Sequence, residues 1–154
     1  MTHDPTGARP AALAFLKSHR TGVLATLGNG MPRARLVYYT GDDAFNVYFV
    51  TLANTRKAAE LAANPHAAFV VAEESVPQTI QLEGTITDLT ETATIDDTIA
   101  TLVDTLMSNT AYNAPLTRFD PAVVRFYRLT PSWIRWGDFT SGYGSSAVFS
   151  EITP

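Results

Sequence analysis

The stretch TGVLATLGNGMPRARLVYYTGDDAFNVYFVT, from Thr21 to Thr51, decides the fold. Thr21 to Leu27 is rich in β-branched and apolar residues, the composition of a strand. Gly28-Asn29-Gly30 supplies the positive φ angles of a tight hairpin, and Met31 to Tyr39 is the returning strand. Gly41-Asp42-Asp43 makes a second turn, and Phe45 to Thr51 a third strand. These strands form a three-stranded meander.

Outward from the meander, Pro10 to His19 reads as a short helix, with Pro10 in its first turn and Leu13 and Leu16 on one face. Thr55 to Ala63 is an alanine-rich helix ended by Asn64-Pro65. Ala67 to Ala72 is a short buried strand. Thr79 to Asp88 alternates, with Ile80, Leu82 and Ile86 facing one way and Thr79, Gln81 and Glu83 the other. Thr92 to Met107 carries a helical stripe of Ile95, Ile99, Leu102, Val103 and Leu106, and Asn109 to Pro115 is a loop. Val123 to Leu129 and Trp133 to Trp136 are the last strands, split by Pro131. The pattern predicts a mainly β, α+β fold. Six or more short strands form a barrel with two to three flanking helices, in one domain over residues 1–154.

Composition narrows the function. The 154 residues carry a formal net charge of −4, which argues against a sequence-blind grip on nucleic acid. The chain has no cysteine, excluding disulfide and thiol chemistry. Its three histidines, His3, His19 and His66, sit in no metal-ligand spacing, so no metal is expected. No run approaches the ~20 apolar residues of a membrane helix, and Met1 to Ala8 is polar, with no apolar run of signal-peptide length. A soluble cytoplasmic protein is the expectation.

Cations are sparse and oddly placed. Arg33 and Arg35 lie two apart on one strand and share a face with Val37 and Tyr39. Ala34, Leu36 and Tyr38 read as the core side. Two arginines side by side repel unless an anion sits between them. Arg56 and Lys57 fall in the first turn of a helix, where the macrodipole is already positive and each cation costs a few tenths of a kcal/mol, roughly. Free helix N–H groups, the hydroxyls of Thr51 and Thr55 and these two cations together would hold a phosphate. The alternative, solvated cations tolerated at low cost, stands beside it with equal weight. The pairs Asp42-Asp43, Glu73-Glu74 and Asp96-Asp97 read as solvated turn and helix charges.

The run Arg35-Leu36-Val37-Tyr38-Tyr39, then Phe49-Val50-Thr51, Thr55-Arg56-Lys57 and Asn64-Pro65, resembles the pyridoxamine 5′-phosphate oxidase superfamily, with matching spacing through Gly84. The resemblance implies a split barrel that dimerises and binds FMN at the subunit interface. It implies that Arg35, Arg56 and Lys57 hold the FMN phosphate, and that Leu36, Val37, Val50 and Thr51 line the ring and ribityl chain. Thr79 stands where such oxidases place a flavin-contacting glutamine, flanked by Gln78 and Gln81. Trp136 resembles a C-terminal aromatic element that reaches flavin from the partner subunit, with ordinary packing the competing reading for it and Trp133. Thr40 replaces a lysine, Val50 stands where an aromatic is common, and the C-terminal substrate cations are absent from Gly137 to Gly144. These departures point away from vitamin B6 oxidation.

The expected activity is that of an FMN-dependent oxidoreductase of unknown small-molecule substrate. An F420-dependent reductase is the alternative, with Arg33 serving the longer anionic tail; a non-catalytic, stress-related flavin protein is the third. Tyr39 and Tyr143 are the groups able to donate a proton. The helix stripe Ile95–Leu106 and the tryptophans are the expected homodimer surface.

Overall fold

The computed structural model describes residues 7–90, 124–140 and 148–154. The expected helix over 92–107, the loop over 109–115, Val123 and Tyr143 lie outside these residues. Helix α1 spans Ala8–Ser18 and helix α2 spans Arg56–Ala63. The strands are β1 (Thr21–Gly28), β2 (Met31–Gly41), β3 (Val47–Leu52), β4 (His66–Glu73), β5 (Gln78–Asp88), β6 (Val124–Asp138) and β7 (Phe149–Ile152). Their order is β3-β2-β1-β4-β5-β6-β7, and β3 also pairs with β6. Six antiparallel strands therefore close a barrel, and β7 extends the far edge of β6 beyond β3. Closure removes the exposed backbone of an open sheet edge.

The first hairpin turns on Asn29 (φ 52°) and Gly30 (φ 73°), both left-handed, as a two-residue turn requires. The second turn differs from expectation. The Asp42 carboxylate accepts from the backbone N–H groups of Ala44 and Asn46, so the chain keeps turning through Phe45 (φ 61°), and β3 begins only at Val47.

Pro131 does not split the last strand: β6 runs unbroken for 15 residues. A bulge accommodates the proline, because the register with β5 shifts between Glu83 and Gly84. Gly84 sits opposite, and a Cβ there would lie 2.1 Å from the Thr130 carbonyl oxygen. Strand β7 escapes a sequence reading because it is only four residues long.

The faces of β2 are the reverse of the sequence expectation. Val37 and Tyr39 are buried in the core, while Leu36 is 60% exposed. The arginine side of the strand is thus the inner side. Leu24, Phe69, Leu82 and Ile134 follow Arg35 across one inner row, strand by strand. Helix α1 buries Ala12, Phe15 and Leu16 against this core. Each such side chain contributes about 1.5–3 kcal/mol when fully buried, less for alanine.

Candidate cofactor site

Helix α2 brings its charged first turn to β1, β2 and β3. Thr55 caps it, accepting from the Ala58 backbone N–H at 3.3 Å and donating to the Leu52 carbonyl at 2.9 Å. The Thr51 hydroxyl, at the end of β3, lies 3.3 Å from that of Thr55. Arg56 and Lys57 follow in the first turn, as the sequence suggests, and no acidic side chain shares it.

The anion expected between Arg33 and Arg35 is supplied by the protein itself. Glu60, one turn along α2, is only 6% exposed. Its Oε2 accepts from the Thr26 hydroxyl at 2.6 Å and from Arg35 at 2.7 Å, and its Oε1 accepts from Arg33. Arg35 also donates to the Thr26 hydroxyl at 2.6 Å. Arg56 Nε lies 3.4 Å from the same carboxylate, on a largely exposed side chain. These hydrogen bonds, that of Thr26 foremost and then that of Arg33, hold the Glu60 carboxyl down to about 2. Burial is the larger cause that lowers the Lys57 ammonium below its usual range, and the nearby Arg35 charge adds to it.

Three arginines therefore meet one carboxylate, and with Lys57, which feels the Arg35 charge, the group carries an excess of three positive charges. Such an excess at a helix start, beside the Thr51 hydroxyl, is donor chemistry suited to an anion such as a phosphate monoester. Glu60 and Thr26 escape a sequence reading because each is ordinary on its own element. The signal was the unbalanced arginine pair together with an acid four residues after Arg56.

The remaining sequence-selected residues lie elsewhere. Leu36 points outward, on a row that continues through Val23, Val70, Gln81 and Arg135. Arg135 donates to Gln81 at 3.0 Å and stacks over the Phe149 ring at 4.5 Å. Val23, Ala25, Ala68, Val70, Gln81 and Trp133 line a shallow outer groove of about 250 Å³. Thr79 donates to the Val71 carbonyl, and Gln78 donates to Asp138. Val50 is half-buried, and Val37 and Thr51 are buried. The site thus falls into two parts: a cationic cluster under α2 and an outer sheet face carrying Leu36, Thr79 and Gln81.

Two of the residues that the sequence singles out are engaged in packing. Trp136 is 4% exposed and packs edge-on against Phe15 at 5.1 Å, so its ring belongs to the core and offers little surface to a ligand. Tyr39 donates to the Leu16 carbonyl at 2.6 Å, and burial raises its hydroxyl further above the usual phenol range. It anchors α1 to β2 and is a poor proton donor. Among the described residues there is no cluster of metal-ligating side chains and no helix long and apolar enough to cross a membrane.

Comparisons with known proteins agree with this fold. A pyridoxine/pyridoxamine 5′-phosphate oxidase from Burkholderia ambifaria is 37% identical over 79 residues, which cover 51% of this chain and 37% of that protein. The chain spans about a third of the length of the curated relatives it matches. A heme binding protein from Mycobacterium smegmatis superposes with a TM-score of 0.73 at 22% identity, over 98% of this chain and 60% of that one. A pyridoxamine 5′-phosphate oxidase-related, FMN binding protein from Nostoc punctiforme superposes over 100% of both chains, with a TM-score of 0.63 and 17% identity. At these identities the two structures establish the shared barrel. The family model for pyridoxamine 5′-phosphate oxidase matches residues 8–135, and the chain belongs to that family.

Proposed function

We propose that this protein binds FMN between the two subunits of a homodimer and serves as an FMN-dependent oxidoreductase. One observation carries this reading: three arginines and Lys57 converge at the start of α2 with a single carboxylate among them. Lys57, Arg56 and the Thr51 hydroxyl would hold the cofactor phosphate, and Thr55 would frame it as the cap of the helix. Arg35 and Arg33 would add field from below. The side chains of Leu36 and Val50 and the backbone at Val37 would bound the ribityl chain and ring, and Thr79, Gln78 and Gln81 would face the ring.

The outer face supports the dimer. Val23, Leu27 and Leu36 are 37%, 41% and 60% exposed on two adjacent strands. Large apolar side chains gathered this way mark an interaction surface. A closed pair of subunits would exclude water from the ring. Bound flavin would supply the hydride chemistry, while the chain binds and orients it. The buried, committed Tyr39 hydroxyl specifically favours a second reading, a flavin carrier without turnover.

The test is mass spectrometry of the ligand that co-purifies, with visible absorption and sedimentation of the same sample. FMN, a flavin band near ~450 nm (a standard cofactor property) and a dimeric mass are expected. F420 in its place would transfer the site to the deazaflavin, and a ligand-free monomer that ignores added FMN would sink the reading.

A further inference from the structure

The guanidinium groups of Arg33 and Arg35 and the hydroxyl of Thr26 form a donor set suited to an exogenous anion, yet a side chain of the protein fills it. Glu60 reaches it from α2, the helix whose first turn carries Arg56 and Lys57. The carboxylate is sealed: its side chain is 5% exposed, those of Arg33 and Arg35 25% and 22%. Even the backbone makes room for it. A Cβ at Gly28 would lie 2.6 Å from the Arg33 guanidinium and 3.0 Å from Glu60 Oε1. Nothing in the proposed chemistry of the flavin requires an acid here. A phosphate at the start of α2 would in fact meet a like charge one helical turn away.

We infer that Glu60 is a built-in counter-anion: it offsets part of the charge of the cationic cluster when no ligand is bound and thereby sets how tightly the cluster takes a phosphate. It acts through Arg33 and Arg35, as an affinity-setting positioning residue. This inference rests on the reading of the cluster as a phosphate site. Its physical logic is charge balance. With Glu60 present, the unliganded cluster carries an excess of three charges. Without it the excess is four, the guanidinium groups repel one another, and an external anion gains what the carboxylate had provided.

Two properties follow together. Removing the Glu60 charge destabilises the free protein, and it tightens phosphate binding. A carboxylate that merely ties α2 to the sheet would do the first and the reverse of the second, because a loosened helix start grips phosphate less well.

The experiment compares wild type, Glu60→Gln, Arg33→Gln and the double variant Glu60→Gln/Arg33→Gln. Binding of inorganic phosphate, FMN and riboflavin is titrated, and thermal unfolding is followed with and without phosphate. Glu60→Gln should bind phosphate and FMN on the order of tenfold more tightly, as expected for one like charge removed from a partly desolvated site. Riboflavin binding should be unchanged. The unfolding midpoint of Glu60→Gln should fall without phosphate and recover with it. Arg33→Gln should bind phosphate more weakly, and the charge-balanced double variant should return close to wild type.

Weaker or unchanged phosphate binding by Glu60→Gln would overturn the inference, as would a double variant worse than both singles. If Glu60→Gln stays unfolded at every phosphate concentration, the double variant decides alone: wild-type affinity supports the charge role, and failure to fold refutes it. Wild type that takes up phosphate but ignores FMN would remove the flavin reading and leave these comparisons intact.

Discussion

The two faces of β2 divide against the usual rule. The inner face carries Arg33 and Arg35 beside buried Val37 and Tyr39, while the outer face presents Ala34 and Leu36 to solvent. Charge points in and apolar surface points out. Each inversion has its own resolution. The inner charges are tolerable because Glu60 and Thr26 satisfy the guanidinium groups within the fold. The outer apolar surface has no covering element among the described strands beside it, and the proposed second subunit would cover it. In the proposed function the inward charge serves the ligand, the outward apolar row serves the interface, and one strand carries both.

The sharpest way to break this comparison is to place the same charge on each face. Val37→Asp puts a carboxylate into the core with no partner. It should cost about 3–5 kcal/mol or more, and the chain should fail to unfold cooperatively at room temperature. A stable, folded Val37→Asp would show that the inner face is not the core. Leu36→Asp, one residue away, should leave the barrel's circular dichroism intact. An exposed substitution of this kind changes a subunit's own stability by only about 0.5 kcal/mol. Its effect should appear in sedimentation, as a monomer at micromolar concentration. A Leu36→Asp protein that remains a dimer would move the interface elsewhere.

Acid titration sharpens the inner half. The Glu60 carboxyl is lowered from an unfolded value of 4.5 to about 2. A lowered carboxyl stabilises the fold above the unfolded value and loses that contribution as pH falls toward the folded one. Wild type should therefore lose stability between about pH 4.5 and 2, and Glu60→Gln should show a shallower slope across that window. Parallel slopes in urea unfolding would mean that the carboxylate is not held by the arginines.

These contrasts also explain what the sequence could and could not disclose. The positions of β1 to β5, the Asn29-Gly30 hairpin and the Thr55–Ala63 helix follow from local chemistry, and the structure reproduces them within a few residues. The orientation of β2 does not follow locally. Alternation places Arg33, Arg35, Val37 and Tyr39 on one face, but only the partner from α2 makes that face the inside. Pro131 reads as a strand breaker until Gly84 and the bulge opposite it are known. Trp136 and Tyr39 carry groups typical of sites, and tertiary packing commits both to the core. The cluster's cations were legible because they lie in two short motifs. Its counter-ion was not, because Glu60 meets Arg33 and Arg35 only after the helix folds onto the sheet.

The central claim, that the cations at the start of α2 hold a cofactor phosphate, is tested most directly at Lys57. FMN and riboflavin are titrated at fixed salt against wild type and Lys57→Ala. A partly desolvated charge-assisted contact contributes roughly 1.5–3 kcal/mol, so FMN affinity should fall by about tenfold to a hundredfold. Riboflavin lacks the phosphate, and its affinity should hardly change. Equal losses for the two flavins, or no loss for FMN, would contradict a phosphate held by Lys57.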